Sequence, residues 1–212
     1  MRITVFGATG GIGGHVVRQA LDAGHKVTAV VRTSSAFDLE HASLEVVRVP
    51  GLDSAEPLRD AVDGSDAVIS GVGARSRKDG PVASGSTRSM LAALAATGVR
   101  RFVAVSAAPL GPVPADESFL NRRLLYPMIN AFAADVYADM RVMEADIMSS
   151  TTDWTIVRPP KLTNKALTGT YRTVVGGTVP RGYSVSRADV AHLMLAVLDD
   201  PAMINQPIGL AN

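Results

Sequence analysis

The chain has 212 residues, 47% hydrophobic and 19% charged, with Lys+Arg 21 against Asp+Glu 20. That length suits a single domain burying roughly 70% of its unfolded surface, and the balanced charge, with no long run of one sign, gives no sign of a basic face for nucleic acid or an anionic membrane. Cysteine is absent, which excludes disulfides and thiol catalysis.

The first expected strand, residues 3–6, starts so close to Met1 that no signal peptide is expected ahead of it. It runs into Gly7-Ala-Thr-Gly-Gly-Ile-Gly13, a glycine-rich turn opening an amphipathic helix with Val16, Val17, Ala20 and Leu21 on one face and a stop at Gly24. A strand, a glycine turn and a helix N-terminus in succession make a dinucleotide-binding signature. One glycine serves the tight turn, one admits backbone amides to a pyrophosphate, and one lets helix and strand pack closely. The expected cofactor contacts here are Gly7, Thr9, Gly10, Gly11, Ile12 and Gly13.

Strand-like runs follow at residues 27–31, 44–49, 67–72, 101–105 and 154–157, separated by helix-like stretches that include residues 89–97, ended by Gly98. Such alternation predicts βαβ crossovers and a Rossmann-like α/β fold, a doubly wound parallel sheet in one domain. The second strand ends in Arg32-Thr-Ser-Ser35, where an enzyme specific for NAD would present a carboxylate to the ribose. A guanidinium with neighbouring hydroxyls suits a 2′-phosphate instead, so Arg32, Ser34 and Ser35 favour NADPH.

Two segments break the rhythm. Residues 107–134 carry prolines at 109, 112, 114 and 127 and are longer than a connection requires, which makes them a candidate lid. Residues 159–185 form a small substrate-side subregion in which residues 171–175 read as one arm of a hairpin turned at Gly176-Gly177. Further on, Ser186-Arg-Ala-Asp189 has capping-box spacing and opens a helix expected to run through Leu198. The longest apolar stretch, around residues 190–198, is too short to cross a bilayer.

These residues together resemble a known family. Gly7 to Gly13, Val30-Val-Arg-Thr-Ser-Ser35, Gly98-Val-Arg-Arg-Phe-Val-Ala-Val-Ser106 and Trp154-Thr-Ile-Val-Arg-Pro-Pro-Lys-Leu162 with Leu167-Thr-Gly-Thr-Tyr171 look like the atypical short-chain dehydrogenase/reductases. Within these they are similar to the branch holding biliverdin-IXβ reductase/flavin reductase and NmrA-like NAD(P)H-binding proteins. The resemblance implies that Gly73, Ser106, Pro159 and Pro160 border the nicotinamide, that Leu52 is a further cofactor contact, and that Arg75 stands beside the active site. It departs at Lys161, where the mammalian reductase has a histidine, and at Gly51-Leu-Asp53, where the usual aspartate is displaced.

The Tyr-x-x-x-Lys pair of standard short-chain dehydrogenases is absent; the nearest match is Tyr137-x-x-x-Arg141, and arginine does not relay a proton. The four histidines show no metal-ligand spacing, so no metal is expected. Hydride transfer to a flavin or quinone needs cations and hydrogen-bond donors rather than a tuned tyrosine. The expected activity is therefore NADPH-dependent reduction of such an acceptor, with FMN or FAD as substrate and Ser106, Lys161 and Arg75 as the catalytic candidates. Two alternatives stay open: an NmrA-like redox sensor without turnover, and an epimerase or dehydratase acting on a sugar-derived substrate. A small-molecule substrate, a cytoplasmic location and a monomer or weak homodimer complete the reading.

Overall fold

The computed structural model describes residues 1–74, 80–113, 123 and 133–212. In chain order the elements are β1 (Arg2–Phe6), α1 (Gly11–Asp22), β2 (Lys26–Arg32), β3 (Leu44–Val49), α2 (Glu56–Val62), β4 (Ala67–Ser70), α3 (Val82–Thr97) and β5 (Arg101–Val105). They continue with α4 (Ala134–Met148), β6 (Asp153–Arg158), β7 (Lys161–Thr163), β8 (Arg172–Val175), β9 (Ser184–Ser186), α5 (Arg187–Ala196) and β10 (Gln206–Ala211). Strands order as β3-β2-β1-β4-β5-β6-β10-β8 in one eight-stranded sheet, with β7 and β9 paired separately. All pairings in the large sheet are parallel except β10 with β8. This is the Rossmann-like order, which reverses between β1 and β4 and opens a crevice at the carboxyl edge there.

Both faces of the sheet are buried, so each inner strand divides its residues between two cores. Ile3, Val5, Ala29, Val31, Val103 and Val157 face α1 and α5, joining Val16, Val17, Val190 and Met194. Phe6, Val30, Phe102, Ala104, Trp154 and Ile156 face α2, α3 and α4, joining Leu58, Met90, Leu94, Met143 and Ile147. Thr4 is fully buried among them, and its hydroxyl donates to the Ala61 carbonyl at 2.7 Å, which removes the cost of an unmade hydrogen bond.

The six expected parallel strands are present, and the structure corrects several boundaries and one pairing. β4 stops at Ser70 because Gly71 and Val72 already turn against Gly7. α3 starts at Val82, seven residues ahead of the expected Ser89; its first turn, Val82-Ala-Ser-Gly85, shows no clear apolar face, and the Asp139 carboxylate of α4 accepts from the Ala83 and Ser84 amides at 2.8 and 3.1 Å. α5 ends at Ala196 rather than Leu198, since the carbonyls of Val197 and Leu198 accept from the buried Arg101 guanidinium at 2.6 and 3.1 Å.

The expected hairpin at Gly176-Gly177 does not form. Gly176 does turn the chain at φ +73°, but β8 pairs antiparallel with β10, Arg172 opposite Ala211 and Val175 opposite Ile208. The segment beyond the turn reaches Pro180, which has no N–H to give a ladder, whereas β10 offers a free edge anchored by buried Ile208 and Leu210. Most of the proposed lid lies outside the described residues, which hold only its two ends and Arg123.

Candidate functional site: a dinucleotide crevice at the carboxyl edge

The glycine turn is shaped by backbone contact. Gly7 adopts φ +76°, and a Cβ there would lie 2.8 Å from the Gly71 carbonyl carbon; a Cβ on Gly13 would collide with the Gly7 carbonyl. Gly71 in turn rests against the Gly13 backbone. The end of β4 thus holds the turn from the far side of the crevice, and any side chain at these positions would force β1, α1 and β4 apart. Gly10 caps α1 without a side-chain hydrogen bond, and the helix has no acidic residue in its first turn. An uncapped N-terminus free of carboxylates is what an incoming pyrophosphate requires.

On the ribose side Arg32 ends β2 as an exposed side chain with no hydrogen-bond or ion-pair partner among the described residues. The loop after it is ordered by Thr33 N–H donating to the Val49 carbonyl at 2.9 Å, Ser35 N–H to Arg32 at 2.9 Å, and Arg48 to the Ser35 carbonyl at 3.1 Å. A cavity of about 460 Å³ opens between this loop and the turn, lined by Ala8, Thr9, Gly10, Gly14 and Arg18 and by residues 36–39. Leu52 packs half-buried against the core on the α2 side of the sheet. The residues present fit a dinucleotide with a phosphorylated ribose.

The end of the crevice where the nicotinamide is expected is built from the ends of β4, β5 and β6. Among the described residues nothing stands within 4 Å of where a Gly73 side chain would begin. Ser106 follows β5; its amide donates to the Val157 carbonyl at 2.8 Å, while its hydroxyl is buried, with the residue 5% exposed, and has no hydrogen-bond partner among the described residues. Ala108 N–H donates to the Pro159 carbonyl at 2.8 Å, so the loops after β5 and β6 are fastened together. Pro159 is buried and Pro160 half-buried, while Lys161 is exposed at the start of β7. Arg75 lies outside the described residues.

Beneath these loops Arg158 and Glu144 form a buried bidentate pair at 2.9 and 2.7 Å, tying the end of β6 to α4. Tyr137, also on α4, is half-buried, and burial pushes its phenol up; Arg141 is exposed. That is the wrong direction for a neutral-pH proton donor of the tyrosine–lysine kind.

Residues 168–171, after β7, are pinned by α5. Asp189 is fully buried. Burial alone would raise its carboxyl, but hydrogen bonds from Thr168, Ser186 and Gly169 outweigh this and hold it below the usual range. Ser186 caps the helix by accepting from the Asp189 amide at 2.9 Å, yet the return arm of the capping box goes to Thr168 and Gly169. The Tyr171 hydroxyl meets His192 Nδ1 at 2.7 Å with the rings edge-on, and burial, then the Asp189 charge, pushes the phenol up to about 12.

Three contributors were missed in the sequence. Gly71 stands outside the Gly7-x-x-Gly10-x-x-Gly13 spacing, and only the fold brings it to the turn. Arg18 lies one helical turn past Gly14, a spacing that was legible. Arg187 lies across Gly11, and nothing local signals it.

The comparisons agree with this geometry. The profile of the NAD(P)H-binding family matches residues 7–201. An uncharacterised chloroplastic protein of Arabidopsis thaliana is 31% identical over 206 residues, covering 93% of this chain and 71% of that one. Among solved structures, a short-chain dehydrogenase/reductase from Veillonella parvula in complex with NADP superposes with TM-score 0.82 at 20% identity, covering 100% of this chain and 94% of the other. An oxidoreductase from Lactococcus lactis gives TM-score 0.82 at 20% identity, with 100% and 91% covered. With the glycine turn, the crevice and the family profile in agreement, the chain belongs to the NAD(P)H-binding family of Rossmann-fold proteins.

Proposed function

We propose that the protein is an NADPH-dependent oxidoreductase that passes hydride to a conjugated acceptor such as a flavin or quinone. The observation that carries the reading is the Ser106 hydroxyl, buried at the carboxyl edge of β5 without a partner among the described residues. A buried orphan hydroxyl costs stability, and a ligand that accepts its hydrogen bond removes that cost. NADPH, when bound, supplies the hydride, and a proton from solvent completes the reduced acceptor. Ser106 donates to the acceptor, and Lys161 meets the negative charge that builds on it. Arg75, by its place in the sequence, is the remaining cation. Such chemistry asks for no proton relay, which accords with a Tyr137 that burial holds protonated.

Steady-state NADPH oxidation with FMN, FAD and a series of quinones tests this. Turnover with at least one acceptor is expected, and Ser106→Ala should lower kcat by about 10²-fold with NADPH affinity retained. Lys161→Met should lower kcat as well; a loss confined to KM would mean that Lys161 only attracts the acceptor. NADPH binding without oxidation across the series would overturn the reading in favour of a non-catalytic redox sensor.

A further inference from the structure

We infer that Arg187, supplied by α5 and remote in sequence from the glycine motif, is a ligand of the dinucleotide pyrophosphate. Its side chain lies over the first residue of α1: a Cβ built on Gly11 would stand 2.6 Å from Arg187 Cδ and 2.9 Å from Nε. Gly11 is thus glycine for a reason separate from the turn itself, since any side chain would push the arginine away. The position is held firmly. Gln19 on α1 donates to the Ala188 carbonyl at 3.0 Å, fixing the first turn of α5 against α1, and Arg187 Nη1 donates to Asn164 Oδ1 at 2.7 Å.

That bond to Asn164 is the one hydrogen bond of the guanidinium among the described residues, and no carboxylate pairs with it. Its field reaches the turn: His15, in the first stretch of α1, is held below its ordinary pKa by burial first and then by Arg18 and Arg187. An arginine over the positive end of a helix that has neither a side-chain cap nor an acidic residue in its first turn is electrostatically unfavourable alone. A doubly charged pyrophosphate on the Gly10–Gly13 amides reverses the sign of that interaction and takes up the unused guanidinium donors. The inference rests on dinucleotide binding and is independent of which acceptor receives the hydride.

Dissociation constants for NADPH and NADH, read from nicotinamide fluorescence, test it in the unaltered protein and in Arg187→Met, Asn164→Ala and Arg32→Ala. Because the pyrophosphate is common to both cofactors, Arg187→Met should weaken NADPH and NADH alike, by about 10-fold for a partly exposed charge-assisted contact. Arg32→Ala should weaken NADPH selectively, and Asn164→Ala, which leaves the cation, should retain most of the affinity for both. Unchanged affinities in Arg187→Met would overturn the assignment. A loss restricted to NADPH would move the arginine to the 2′-phosphate, and an equal loss in Asn164→Ala would make it a structural latch; either result also overturns it. Failure of the unaltered protein to bind either cofactor would instead remove the dinucleotide site itself.

Discussion

Among the described residues the Ser106 hydroxyl and the Arg32 guanidinium are unpartnered for opposite reasons, one sealed away from water and one standing in it. Leaving a buried hydroxyl unsatisfied costs about 1–3 kcal/mol. Ser106→Ala is therefore expected to leave the melting temperature unchanged or raise it, while activity falls. A calorimetric scan showing a loss greater than about 1 kcal/mol would mean that the hydroxyl has a structural partner and no ligand role. Arg32 costs the apo protein nothing, so its contribution appears only with ligand. Arg32→Ala should reduce the preference for NADPH over NADH by about 10-fold or more, measured as the ratio of the two dissociation constants. Equal affinity of the unaltered protein for both cofactors would remove the 2′-phosphate from the account.

Where elements meet, polar side chains set the positions that apolar packing leaves loose. The Arg158–Glu144 pair is 8% exposed on each side chain and joins β6 to α4 directly before Pro159. Removing one partner strands a charge in the interior, so Glu144→Ala should destabilise by about 3–5 kcal/mol, whereas Glu144→Leu with Arg158→Met should lose far less. Denaturant unfolding of the two variants decides; similar losses would show that the pair specifies packing beyond its own charge balance. Tyr171 against His192 couples the segment after β7 to α5. Its folded-state pKa, about 12, is raised above the ordinary phenol value. Its contribution to stability is thus fully present below pH about 10 and is lost as the pH rises through 12. Tyr171→Phe should flatten that alkaline decline in melting temperature, and an unchanged slope would refute the linkage.

Across the whole molecule, one crevice gathers residues from the ends of five parallel strands, so ligand binding is expected to stabilise the fold as a unit. NADPH at about 100 times its dissociation constant adds about 2.7 kcal/mol, or about 5–10 °C in melting temperature for a domain of this size. NADH at the same concentration should give a smaller shift. Identical shifts would contradict the phosphate-specific loop. Among the described residues no helix is long and apolar enough to cross a membrane, and no group of three or more histidines or acidic residues is placed to hold a metal ion.

The sequence by itself determined whatever depends on neighbours along the chain. Gly7, Gly10 and Gly13 mark a turn because strand, turn and helix are contiguous, and the strands at residues 3–6 and 101–105 are legible because β-branched runs buried on both faces need no partner to declare themselves. Arg32 follows from its place at the end of β2. What tertiary structure alone decided depends on residues far apart. β10, carrying Pro207 and Gly209, has poor local strand propensity and is a strand because β6 and β8 flank it. α3 begins early because Asp139, 56 residues from Ala83, caps it. Gly71 is required because it touches Gly13, and Arg187 reaches the glycine turn because α1 and α5 pack together. Local pattern fixes which elements form; the energies that choose strand partners, cap distant helices and carry a cation across the turn arise only when the chain is folded.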